Sequence, residues 1–211
     1  MMLQNKRIIF YSRVLLFIAA FLGVYLEITK HGGFGMLLYY TVLSNLLVAL
    51  FTGYLLLKMR SDDDSWQSPV ILRLKGGVTM SIMITCVIYH FMLAPIATDF
   101  YRLENFLCHY IVPLWFLADT LFFDKSRQYK WFDPIVWTVL PLLYMGFAIL
   151  NGLVLKMNIP NSKDNPFPYF FLNANKHGWG FVFRWAAIIF VAYMVSGYLF
   201  YLVKSIEKSK K

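Results

Sequence analysis

Charge is scarce in this sequence. Only 15% of its 211 residues are Asp, Glu, Lys or Arg, where a soluble domain carries about a quarter. Cysteine is scarcer still: Cys86 and Cys108 alone cannot staple a small disulfide scaffold, and neither has a CxxC partner. No His, Cys and acidic spacing resembles a zinc or iron site, so no metal and no cofactor is expected. Gly32-Gly33-Phe34-Gly35 lacks the Lys-Ser/Thr that a phosphate loop needs and follows no strand pattern. N-x-S/T sequons, internal repeats and low-complexity segments are absent as well.

What the chain has in quantity is apolar surface. Hydrophobic residues make up 59% of it and aromatics 19%, with a mean hydropathy of +0.58. This composition predicts an all-α, polytopic membrane protein folded as one domain over residues 1–211. Six apolar stretches are long enough to cross a hydrocarbon core of about 30 Å, at about 8–26, 36–57, 74–95, 105–123, 134–155 and 180–203. The first follows Lys6, Arg7 and Arg13 as a signal peptide would. It runs into Gly23-Val24-Tyr25-Leu26-Glu27, which is no small-x-small cleavage site, so it reads as an uncleaved span. Residues 58–73 hold the solvated run Ser61-Asp62-Asp63-Asp64-Ser65. Residues 156–179, with Pro160, Pro166, Pro168 and several Asn, read as a folded loop.

Lys and Arg set the orientation. Fourteen lie at the N-terminus, in 58–75 (Lys75 among them), in 124–133 and in the tail, against five on the opposite side. That bias puts both termini in the cytoplasm of a cell membrane and accounts for the basic charge with no nucleic-acid partner. The tail from Lys204 to Lys211 is expected to lie on anionic head groups.

The topology gives each polar side chain a depth. Thr41 and His90 lie ~8 Å below the outer surface and His109 ~6 Å, with Asn151 and Arg184 close to that level. Five helices thus bring hydrogen-bonding groups to one layer, where lipid offers them no partner. Thr41, Ser44 and Asn45, at i, i+3 and i+4, share one helical face. Taken singly, such groups are commonly packing residues bonded to their own backbone, and Arg184 can snorkel. Asp119 lies near the other end, level with Arg13, and a structural Arg13–Asp119 pair is expected.

A Thr hydroxyl becomes a nucleophile when a base takes its proton, which a neutral imidazole can do. His109 or His90 could serve Thr41, and Asn45 or Arg184 could stabilise the oxyanion. Cys108 adjoins His109, but neighbours on a helix point about 100° apart. A pocket at this depth suits a polar ester with a long apolar tail.

The motif Tyr39-Tyr40-Thr41-Val42-Leu43-Ser44-Asn45, followed two spans later by His109-Tyr110-Ile111-Val112-Pro113 and Asp119, resembles a six-helix membrane family. Its animal branch contains the androgen-induced and androgen-dependent membrane proteins, which hydrolyse fatty-acid esters of hydroxy fatty acids. The His-to-Pro spacing and the Ser-Asn after Thr41 are more similar to its bacterial branch. The resemblance implies Thr41 as nucleophile and His109 as general base; His90 belongs to none of the family's motifs.

The expectation is therefore an intramembrane threonine hydrolase acting on a lipid or fatty-acyl ester. Ser44, Asn45, His90, Asn151 and Arg184 are its candidate substrate or oxyanion residues. The alternative from another class is a non-catalytic binder or carrier of an amphipathic molecule, with Arg184 pairing an anionic head. Neither Pro113 nor Pro141 makes the paired half-helices of a transporter.

Overall fold

An apolar run without water must satisfy its backbone internally, and a helix does so within one segment. The computed structural model describes residues 5–60, 64–97 and 100–206. Six helices in it are long and apolar enough to cross a membrane: α1 (Lys6–His31), α2 (Tyr40–Met59), α3 (Pro69–Ile96), α4 (Leu103–Phe123), α5 (Asp133–Leu155) and α6 (Trp179–Ser205). No strand occurs among the described residues. Residues 61–63 of the expected solvated run, and Lys208, Lys210 and Lys211 of the expected head-group anchor, lie outside the described residues.

Helices α1 to α4 make the tight part of the bundle. Leu16 and Ala20, Val48 and Ala49, Val78 and Ile82, and Val112 and Phe116 meet in one cluster. Trp137 of α5 packs against α3, where a Cβ on Gly76 or Gly77 would come within 2.6 or 2.9 Å of its ring. Those two glycines let the helices approach that closely.

Two boundaries differ from expectation for a physical reason. Helix α2 starts at Tyr40 because Gly33–Leu38 is a tight 3₁₀ turn. Helix α3 starts at Pro69, earlier than the hydropathy suggests, and carries Lys75 inward with it. Lys75 is fully buried, not a loop cation. It pairs with Asp119 and, at 2.8 Å, with Asp124. Arg13 reaches the same two carboxylates at 3.0 and 3.1 Å, so the expected Arg13–Asp119 pair exists inside a larger four-charge cluster. Lys204 is also buried, donating to the carbonyls of Thr120 and Asp124 at 3.0 and 2.8 Å. It clamps α6 to the end of α4 and does not lie on head groups.

At the opposite end of the bundle the 156–178 connection folds over the helices. Asn151 holds it, donating to the carbonyls of Met157 and Pro166 and accepting from the Met157 N–H. Tyr39 donates to the Pro160 carbonyl at 2.7 Å, and Asn161 to that of His31 at 2.6 Å. The connection thereby closes the end of the bundle where α2 begins and Thr41 lies in its first turn.

Candidate active site

Three helices widen into single π-turns, at Tyr89–Leu93, Leu107–Ile111 and Asn151–Leu155. The second has a clear cause. Pro113 has no N–H to give the His109 carbonyl, and the Val112 N–H reaches back five residues to Leu107. His109 sits inside this turn and is 7% exposed.

The structure brings Thr41 and His109 together. Thr41 Oγ1 lies 3.3 Å from His109 Nε2, and His109 Nδ1 lies 3.0 Å from the Asn105 carbonyl. A carbonyl only accepts, so Nδ1 carries the proton and Nε2 presents its lone pair to the threonine. Tyr89 stacks on the imidazole with ring centroids 3.7 Å apart and planes 21° apart. The ring is held in place from two sides.

Two cavities meet at this couple. One is mostly apolar and runs between α3, α5 and α6, past Ile84, Ile88, Leu142, Met145, Ile189 and Phe190. The other is a more polar vestibule with Glu27, His31, Arg102, His109, Lys163 and Asp164 on its walls. Thr41, Tyr89, Leu93 and Tyr169 line both. An amphipathic molecule spanning the two would cross the Thr41 hydroxyl.

Tyr169, from the folded connection, places its hydroxyl against the Thr41 side chain and the first backbone N–H groups of α2. Burial pushes its pKa up, opposed by the hydrogen bonding at Thr41, so the phenol stays neutral and can donate. Tyr40 and Tyr144 pack beside it, bonded to Ser81 Oγ and to the Leu38 carbonyl at 2.7 and 2.8 Å. On the vestibule side His31 Nε2 donates to Glu104 at 2.8 Å and its Nδ1 accepts from Arg102 at 3.2 Å. Glu27, 5% exposed, faces the vestibule within electrostatic reach of His31 and Arg102.

The other expected site residues lie elsewhere, for identifiable reasons. Ser44 bonds Thr85 at 2.8 Å and the Thr41 carbonyl. Asn45 is fully buried, both amide hydrogens held by the Thr41 and Cys108 carbonyls, so they are not free for an oxyanion. Asn151 is occupied by the connection it anchors. His90 is exposed and turned to Tyr110, and Arg184 is exposed on α6. None of these five lines either cavity. Cys108 is buried against Gly23, away from both. Among the described residues no three His, Cys, Asp or Glu side chains are grouped to hold a metal ion.

Residue order alone did not point to Tyr89, Tyr169 or the Glu27, His31, Arg102 and Glu104 group. The signal available was the number of tyrosines, 14 in a chain of this length. Comparison with family models, with curated proteins and with solved structures finds no match to this chain.

Proposed function

We propose that this chain is an intramembrane threonine hydrolase that cleaves a fatty-acyl type of ester, with Thr41 as nucleophile and His109 as general base. One observation carries the reading: the oriented Thr41–His109 couple stands where the polar vestibule meets the apolar cavity. The resemblance of both motifs to the six-helix membrane family, whose animal branch contains ester hydrolases, points the same way. The Lys and Arg bias favours a cell membrane with the termini in the cytoplasm and the site in the outer half.

The chemistry follows from the positions. Thr41 Oγ attacks the ester carbonyl carbon while its proton passes to His109 Nε2. The carbonyl π electrons move to oxygen, where the Tyr169 hydroxyl can donate to the developing charge. Collapse breaks the ester C–O bond, and the departing alcohol oxygen takes the proton from Nε2. Water then attacks the acyl-threonine, giving its proton to Nε2. That proton returns to Thr41 Oγ as the free acid leaves.

A fluorophosphonate probe tests this directly on the protein in detergent. Labelling that maps to Thr41, together with ester hydrolysis lost in both Thr41→Ala and His109→Ala, is the expected result. Hydrolysis that survives in both variants sinks the proposal.

A further inference from the structure

Helices α5 and α6 touch near the chain termini and part toward the other end. Where they touch, Tyr193 donates to the Trp137 carbonyl at 2.9 Å, and a Cβ on Gly197 would lie 3.3 Å from Pro134. Where they part, Phe171 and Leu172 of the folded connection are wedged among Tyr144, Met145, Trp185 and Ile189. The apolar cavity is the space left between these two closures.

That cavity has a side. Leu142 on α5 and Phe190 on α6 line it and are 41% and 43% exposed. The outer surface around them is apolar, with Val139, Leu143, Phe183 and Val191 all exposed. In a bilayer this surface meets hydrocarbon.

We propose that the gap between Leu142 and Phe190 is a lateral portal through which the alkyl chain of a membrane lipid enters from the bilayer. Why a chain should enter rests on the hydrolase reading; that it can enter does not. From Met145 down to Thr138, seven residues along α5, the cavity runs about 10 Å. Carbon–carbon bonds of about 1.5 Å at about 111° advance about 1.25 Å per carbon, so roughly eight carbons fit. Further carbons stay outside among the lipid tails. Moving a methylene from lipid into an equally apolar cavity gains little, so the portal admits chains without sorting them by length. Selection falls to the vestibule, which meets the polar half.

Photolabelling tests the portal without turnover. The full-length Thr41→Ala variant is reconstituted in phosphatidylcholine vesicles with a fatty-acid methyl ester bearing a diazirine near the middle of its chain. Adducts on Ile84 and Ile88, the back wall of the cavity on α3, are expected after illumination. Ala186→Trp, which fills the cavity beside the portal, should lose those adducts while outward Leu143 and Val191 stay labelled, a sign that the bundle is intact. Labelling of outward residues alone in the parent protein overturns the portal, even where hydrolysis is found. Back-wall labelling in a protein that hydrolyses no ester leaves the portal standing and overturns only the hydrolase.

Discussion

His109 Nδ1 lies 3.0 Å from the main-chain oxygen of Asn105, one turn earlier on α4, and that bond decides what Nε2 can do. Because the backbone oxygen demands a proton, the other ring nitrogen is an acceptor before any substrate arrives. The Thr41 hydroxyl is its nearest polar partner.

Removing that acceptor should cost rate before affinity. His109→Ala is expected to lower kcat by about 10²–10⁴-fold with a smaller change in KM, since a general base acts in the transition state. Steady-state hydrolysis of a p-nitrophenyl ester measures both. A kcat within threefold of the parent contradicts the assignment.

Tyr169→Phe keeps the ring and deletes one donor. If its hydroxyl meets the oxyanion, kcat should fall about 10²-fold, the usual effect of removing one such donor. A KM that rises while kcat holds would make Tyr169 a binding residue instead.

His90→Ala and Arg184→Ala serve as counter-tests. Both side chains are exposed and line neither cavity, so kcat/KM should stay within about twofold, the range of ordinary surface changes. A large loss from Arg184→Ala would favour an anion-binding carrier.

The contrast between His90 and Tyr89 shows what sequence reasoning reaches here. Depth is readable, because residues advance evenly along a helix, and it placed Thr41 and His109 on one level. Azimuth is not. Adjacent residues point about 100° apart, so Tyr89 stacks on the imidazole while His90, at the same depth, turns outward. The six spans were legible from hydropathy alone, and the folded 156–179 loop from its prolines and asparagines. Lys75 was not, since a cation near a span's end looks like a loop residue until its carboxylates are found on another helix. Tyr169 sits in an irregular segment with no period to read.

Asn151→Ala should loosen the connection without unfolding the bundle. The Met157 and Pro166 carbonyls lose their donor, a cost of about 1–3 kcal/mol where the groups stay buried. Faster limited proteolysis within 156–178, with a fall in kcat as Tyr169 loses its support, is the expected pair of results. Unchanged proteolysis would deny Asn151 its anchoring role.

Asp119→Asn should destabilise far more. It leaves Arg13 and Lys75 facing Asp124 alone, and breaking a buried pair costs about 3–5 kcal/mol. Thermal unfolding in detergent should show the loss. The double variant with Lys75→Met, which restores charge balance, should recover part of it; no recovery would mean that shape rather than charge holds the cluster.

The same cluster bears on how the chain enters the membrane. Arg13 belongs to the first span and Lys75 to the third, while both carboxylates arrive with the fourth. Until then each cation lacks its partner, at a cost of up to about 2.5–3.5 kcal/mol, the value for mid-span, or keeps its helix shifted toward the surface. The first three spans are therefore a provisional assembly during synthesis, and emergence of Asp119 and Asp124 is the moment they can settle. Truncation before α4 should give a product that is inserted poorly and degraded, whereas truncation after it should not.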